Sequence, residues 1–363
     1  MLKFIKRLFI FLISLILLFI IGIFAARFIT SKQITINTEN GIESKEYWDI
    51  NGIKQYIQIR GQNKDNKIIL FLHGGPGSPH AFISHTYQKE LEENFTFINW
   101  DQRGSGRTYF ANKEKNPVSI DMLYSDLEVL VDEILSRYSQ DKLILMGHSW
   151  GTIIGSKYAM NHPDKLHAYI GVGQVWNSLE GEKLATEKAI QEANNNGETT
   201  DATKIKELYD KNINDLKNGK LSLKDFSEYR SMTTGKYLAS KSSIPFLKSI
   251  ALGATSPNME IDDLRWFLIN STDIETFENI YKDTLLKVFN FSIVNPKIDV
   301  PVAIIMGDED WITPTALSEK YFDNIQSPSK KLYIIDNAGH APYFDNTKDF
   351  TKAVEEFLQF LDK

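Results

Sequence analysis

The sequence predicts an α/β domain, a mostly parallel sheet with helices on both faces, broken by a helical insertion and preceded by a long apolar segment. Three observations predict this. Short apolar, β-prone runs alternate with amphipathic stretches through the first half of the chain. The alternation stops near Trp176 and returns near Lys297. One strand-to-helix junction reads Gly147-His148-Ser149-Trp150-Gly151, a serine with glycines two residues to either side.

The first segment is a separate object. Lys3, Lys6 and Arg7 precede an uncharged run from Leu8 to Ala26. At about 19 residues the run can cross a hydrocarbon core as a helix. A cleaved signal has a shorter apolar region ending in small residues, and bulky Ile23 and Phe24 make a poor cleavage site here. Residues 1–33 therefore read as a retained membrane anchor. The basic residues before the run outweigh Arg27 and Lys32 after it, which places the N-terminus inside and the rest of the chain on the outer face.

The next elements follow in order. Gln33–Ile36 and Gln55–Ile59 read as hairpin strands, with turn signals at Glu39-Asn40-Gly41 and Asp49-Ile50-Asn51-Gly52. Lys67–Leu72 is a continuous apolar run, hence a central strand, and it runs into His73-Gly74-Gly75-Pro76-Gly77. Phe95–Trp100 is another strand, ending at Asp101-Gln102-Arg103-Gly104-Ser105-Gly106-Arg107-Thr108. Ser119–Tyr138 has apolar residues at helical spacing, with Ser119 as its cap. Lys142–Met146 is the strand before the serine, and Thr152–Ala159 the helix after it. His167–Gly173 is the next strand.

From Trp176 to Phe291 the period is helical and the composition rich in Lys, Glu and Asn. Asn194–Asp201 reads as a polar loop, and Gly219 and Gly235 as breaks between helices. Lys297–Met306 and Leu332–Ile335 are strands again, and Phe350–Leu361 is a closing amphipathic helix. The organisation is thus an anchor (1–33), a core (34–175), a helical cap (176–291) and the rest of the core (292–363).

Composition removes several function classes. The 363 residues are 42% apolar and 24% charged, with a net charge of -6. Acids and bases are mixed along the chain, so nothing resembles a nucleic-acid surface. No cysteine is present, which excludes disulfides, thiolate metal sites and a cysteine nucleophile.

The chemistry centres on Ser149. A serine hydroxyl needs a base to take its proton. On this architecture the partners follow in chain order serine, acid, histidine. Of seven histidines only His340 lies beyond residue 167, in Asn337-Ala338-Gly339-His340 just after a strand. His340 is therefore the base. The loop after the preceding strand, Gly307–Pro314, offers Asp308, Glu309 and Asp310. Asp310 lies deepest and is the acid, with Asp308 the runner-up and the remaining carboxylates solvated. An oxyanion hole needs two N–H donors. One is the N–H of Trp150, directly after the nucleophile. The other comes from the His73–Gly77 loop, Gly75 first and Gly74 close behind.

Taken together, His73–Gly77, Asp101–Thr108, Gly147–Gly151, Gly307-x-x-Asp310 and Gly339-His340 resemble the α/β-hydrolase superfamily, and more narrowly the proline iminopeptidase family of serine peptidases. The resemblance covers roughly residues 50–175 and 295–360. It implies an eight-stranded sheet, a helical cap, and hydrolysis through an acyl-enzyme without cofactor or metal. By position Ser149 is nucleophile, Asp310 acid and His340 base, while Arg103 and Arg107 brace the floor of the site. Family aminopeptidases hold the substrate amine with cap glutamates. Glu180 and Glu182, which follow Trp176 closely, are the candidates here, and Glu187, Glu192 and Glu260 are further candidates. The expected activity is an aminopeptidase on short peptides. The same core also serves esterases and lipases on small or lipid-like esters. A non-catalytic surface interaction protein is a third reading, and the complete serine, acid and histidine set argues against it.

Overall fold

In a computed structural model of the protein, residues 2–112, 117–240 and 246–360 are described. Eight strands form one sheet in the order β1-β2-β4-β3-β5-β6-β7-β8. They are β1 (Ile42–Ile50), β2 (Ile53–Gly61), β3 (Ile68–Leu72), β4 (Thr96–Trp100), β5 (Leu143–His148), β6 (Leu166–Val172), β7 (Val302–Gly307) and β8 (Lys330–Ile335). β1 pairs antiparallel with β2 and β2 antiparallel with β4, and every later pairing is parallel.

Alternation along the strands divides the core in two. Ile68, Leu70, Leu72, Leu143, Leu145, Val302 and Ile304 face one side. They pack there on α3 (Ile120–Tyr138) and α4 (Gly151–Asn161). Ile69, Phe71, Ile144, Met146, Ala303 and Ile305 face the other, against α12 (Pro342–Asp345) and α13 (Thr347–Phe360). Two opposed apolar faces require helices on both sides of the sheet. The N-terminus of α3 is capped as expected, Ser119 accepting from the Met122 N–H at 3.2 Å. The short α2 (Gly106–Ala111) and α11 (Thr315–Tyr321) complete the core helices.

Between β6 and β7 the chain is helical: α5 (Ser178–Asn195), α6 (Thr199–Lys217), α7 (Leu223–Met232), α8 (Phe246–Thr255), α9 (Ile261–Thr272) and α10 (Ile274–Phe289). Its two ends meet. Ser178 N–H donates to Phe291 O at 3.0 Å, and Ile293 N–H to Trp176 O at 2.6 Å.

Four expectations are corrected. Gln33–Ile36 is not a strand: α1 (Leu2–Ile34) stays helical through Ile34. The hairpin is β1–β2, closed by Asn51 (φ 49°) and Gly52 (φ 75°), both in the left-handed region that a two-residue turn needs. The run at Lys297–Met306 is a continuous strand only from Val302; before Pro301, which has no N–H to give, it makes an isolated bridge from Lys297 to Gln326. The Asn194–Asp201 loop shrinks to three residues, since Gly197 (φ 77°) turns the chain so that Glu198 N–H caps Ala193 O at 2.8 Å. Gly235 lies within the helical turn Thr233–Tyr237 rather than between helices, whereas Gly219 (φ 65°) does end α6.

α1 is the one helix among the described residues long and apolar enough to cross a membrane, over Lys3–Ile34. Such a helix is compatible with an anchor or with a signal sequence. Its end is tied to the core by Arg60 on β2, buried at 1% exposure. Arg60 donates to Ile34 O at 2.5 Å, holds Glu92 at 2.8 Å and also pairs with Glu43. Removing Arg60 strands the buried Glu92 carboxylate. Arg60→Ala is expected to lower unfolding free energy by about 3–5 kcal/mol in urea titration, and the Arg60→Met/Glu92→Leu pair to recover most of it.

Candidate active site

The turn after β5 is built on three constraints. Ser149 sits at φ 51°, a strained position for a residue with a side chain. A Cβ on Gly151 would lie 2.3 Å from Leu72 O, and one on Gly147 2.8 Å from Gly151 O. Only glycine allows this approach. Ser149 N–H donates to Val172 O at 2.9 Å, which pins the turn to β6. The hydroxyl then stands above the C-terminal edge of the sheet.

Two other loops meet it. His340, after β8, has Nε2 2.8 Å from Ser149 Oγ and Nδ1 2.9 Å from Asp310 Oδ2. The Asp310 side chain is fully buried and that of His340 is 17% exposed. An ionised Asp310 fixes the tautomer: Nδ1–H donates to the carboxylate, and Nε2 is left to accept from the serine hydroxyl. Asp310 is itself held by the N–H groups of Ile312 and Thr313, both at 2.9 Å, and by the Thr313 hydroxyl at 2.8 Å.

The neighbouring carboxylates are not simply solvated. Asp308 accepts the Ala338 N–H at 3.0 Å, and Glu309 accepts from Ser240 at 2.6 Å. Asp308 thereby fixes the loop that carries His340.

A cavity of about 610 Å³ opens at Ser149. Gly75, Pro76 and Trp150 line it. Among the described residues, the N–H groups of Gly75 and Trp150 have no protein acceptor, so both can serve a ligand oxygen. Gly74 is packed deeper, its Cβ position 3.1 Å from Ser149 Cβ. The opposite wall is largely apolar: Leu223, Phe226, Phe277, Leu285, Val288 and Phe289.

Of the cap glutamates, Glu182 alone lines the cavity, 7% exposed and paired with Arg230, which also lines it. Glu180 is turned away, held by Lys320 at 2.5 Å and by Tyr321. Glu187 and Glu192 pair with Lys183 and Lys188 along α5. Glu260 caps α9 and meets Arg107 at 3.1 Å. The two arginines of the Asp101–Thr108 loop stay structural. Arg103 grips Asp126 at 2.7 and 2.8 Å, and Arg107 grips Asp263 at 2.6 and 3.0 Å.

Sequence reasoning missed four residues. Thr313 follows Asp310 at a spacing that lets its hydroxyl return to the carboxylate. Arg230 gave no signal in a lysine- and glutamate-rich stretch. His148 and Tyr343 form a buried relay: Tyr343 OH lies 3.0 Å from His148 Nδ1, and His148 Nε2 2.9 Å from His340 O. Burial, and then the neighbouring His340, hold His148 well below its ordinary pKa. His73 is likewise buried and pushed down to about 3, its Nδ1 facing Gly74 O at 2.8 Å.

A family model described as alpha/beta hydrolase fold matches residues 67–347, and the chain belongs to that family. The chain is 28% identical over 321 residues to a probable aminopeptidase, YbaC, of Bacillus subtilis (strain 168), covering 84% of this chain and 93% of that protein. It is 24% identical over 346 residues to a proline iminopeptidase of Saccharolobus solfataricus, covering 91% and 96%. Among solved structures it superposes on a bacterial membrane phospholipase A with a TM-score of 0.61 at 14% identity, covering 100% of both chains. It superposes on a proline iminopeptidase-related protein of Thermus thermophilus with a TM-score of 0.56 at 16% identity, covering 88% and 98%. At these identities the structural likenesses establish the fold alone.

The buried histidines set an acid limit. His73 stays neutral when folded and takes up a proton near its ordinary value of 6.5 when unfolded. Its folded value is depressed, so the stability it confers is present above pH 6.5 and is lost as pH falls towards about 3. Urea unfolding from pH 7 to 4 is expected to show that decline. His73→Gln, which binds no proton, should have a shallower slope in the same window, and an unchanged slope would refute the assignment.

Proposed function

We propose that this α/β hydrolase is a serine hydrolase working through an acyl-enzyme on Ser149, an aminopeptidase of proline-iminopeptidase type acting on short peptides. We also take α1 as a membrane anchor, with the N-terminus inside and the hydrolase domain on the outer face. One observation carries the chemistry: the continuous chain from Ser149 Oγ through His340 to the buried Asp310, at the mouth of a cavity.

His340 Nε2 takes the Ser149 proton as Oγ attacks the substrate carbonyl. The Asp310 carboxylate stabilises the resulting imidazolium and keeps it oriented. The carbonyl oxygen becomes an oxyanion and is received by the N–H groups of Gly75 and Trp150, with Gly74 behind them. His340 passes the proton to the leaving amine, which departs and leaves the acyl group on Ser149. Water, deprotonated by the same imidazole, then releases the acid and regenerates the serine. The scheme needs no cofactor.

Two supports favour a peptide substrate: the aminopeptidase names of the curated relatives, and the Glu182 carboxylate inside the cavity. Glu180 is not part of this reading, because Lys320 and Tyr321 occupy it. A second reading, an esterase or lipase on apolar esters, is favoured by a specific observation. Arg230 already pairs with Glu182, and the wall opposite Ser149 is largely aliphatic and aromatic.

Full-length protein should be tested on proline and alanine aminoacyl amides, on their N-acylated forms and on short-chain esters. Preference for the free amines is expected, and equal rates on blocked and free amines would exclude an aminopeptidase. Ser149→Ala and His340→Ala should each lower turnover by factors on the order of 10³ or more. Asp310→Asn should cost on the order of 10³–10⁴, and a harmless Asp310→Asn beside a damaging Asp308→Asn would move the acid to Asp308. Glu182→Gln should raise KM for free-amine substrates on the order of tenfold and spare ester hydrolysis.

A further inference from the structure

We infer that the outward face of α9, together with the exposed turn of α8, is a second membrane contact that rests on the lipid–water interface beside α1. The inference depends on reading α1 as a membrane helix and goes beyond it, since a single-span anchor requires no other part of the chain to touch lipid.

The amphipathicity of α9 is inverted for a helix on a protein surface. Its inner face carries polar anchors. Asp263 meets Arg107 at 2.6 Å, while Trp266 Nε1 and Asn270 Nδ2 donate to Gly77 O at 2.7 and 3.2 Å. Its outer face carries Ile261 (69% exposed), Leu264 (43%) and Leu268 (49%), spaced three, four and seven residues apart, with Phe267 (39%) at the flank. Scattered exposed leucines are ordinary; four large apolar side chains on one helix face are a patch. Ile250 on α8 adds a fifth, 46% exposed.

The position of the patch identifies what covers it. α1 packs on α8, and Ile23, Ala26, Arg27 and Thr30 of its last turns form a half-buried stripe at helical spacing. Arg27 ends the uncharged run of α1, so it marks the level where hydrocarbon gives way to headgroups. Its guanidinium donates to Met259 O at 2.5 Å, two residues before Ile261. The apolar face of α9 therefore begins at the height where α1 leaves the membrane. Arg265, on the same outer face, and Lys248 on α8 are exposed and suit the headgroup layer. An apolar helix face at that depth, continuous with a spanning helix, fits the boundary of a phospholipid bilayer.

The protein has no cysteine, so single cysteines can report position without background. Leu264→Cys, Leu268→Cys, Lys206→Cys on exposed α6 and Leu17→Cys in α1 would each be labelled with an environment-sensitive fluorophore. The full chain would be reconstituted in phosphatidylcholine–phosphatidylglycerol vesicles carrying nitroxide lipids, with the nitroxide either shallow or deep in the acyl chain. The labels at 264 and 268 are expected to lose most of their emission to shallow nitroxides, that at 17 to deep ones, and that at 206 to neither. Labels at 264 and 268 as bright as that at 206, beside a quenched 17, would overturn the contact and leave the anchor standing. The same brightness results if a second copy of the chain covers the face. A bright label at 17 as well would remove the anchor and the contact together.

Discussion

The site depends on the approach of the first residue of α4 to the end of β3. With Gly151 lying against the Leu72 and His73 carbonyls, the N-terminus of α4 is drawn over the neighbouring strand. Ser149 must then take a left-handed backbone, and Trp150, whose N–H has no protein acceptor among the described residues, lines the same cavity as the glycine loop after β3. The positive end of α4 adds to the field there. A larger residue at 147 or 151 would separate the helix from β3 and the hydroxyl from both N–H donors. The serine and the N–H groups of Gly75 and Trp150 are thus set by one packing decision rather than two.

That decision was legible because it is local. Five residues with flanking strand and helix patterns define the turn, and chain order then leaves only His340 as the candidate base, which the structure places between Ser149 and Asp310. The parallel sheet was equally readable, since buried strands are continuous apolar runs. Failures arose where one pattern served two structures. Gln33–Ile36 alternates like a strand, yet it ends a helix that Arg60 holds from β2. Glu180 and Glu182 are two residues apart and look equivalent, but on α5 they point to different sides. One meets Lys320 and Tyr321 from α11; the other meets Arg230 from α7. No local signal separates them, because the deciding partners lie roughly 50 to 140 residues further along the chain. Thr313 was hidden for a different reason: a threonine near an aspartate is ordinary until the loop folds back.

The helical segment is held by buried charge. Arg107 reaches from α2 to Asp263, Glu260 and the Asn258 carbonyl, and its other side stacks on Tyr56 of β2. Desolvated pairs of this kind fix geometry more than they stabilise. Here they set the angle of α9, and so the position of Gly77, whose carbonyl takes two donors from that helix. The glycine loop that supplies the Gly75 N–H is therefore braced from the helical side as well as from the sheet. The Glu182–Arg230 pair differs, because both partners face the cavity. A ligand group that reached Glu182 would have to compete with a guanidinium already in place.

α9 joins these two regions. Its inner face is clamped by Arg107 and the Gly77 carbonyl, and its last turn, through Asn270 and Ser271, forms part of the cavity wall. Its outer face is apolar and starts level with Arg27, where the uncharged run of α1 ends. A helix gripped on one side and apolar on the other can move little without disturbing either the glycine loop or the cavity mouth. If the outer face rests on a bilayer, the wall beside Asn270 and Ser271 stands at the headgroup layer. A substrate partitioned into that layer then reaches Ser149 along the surface rather than from bulk water. In that arrangement its effective concentration would be set by two-dimensional partition, and the same Arg107 and Gly77 contacts that brace the glycine loop would also fix the distance from lipid to Ser149.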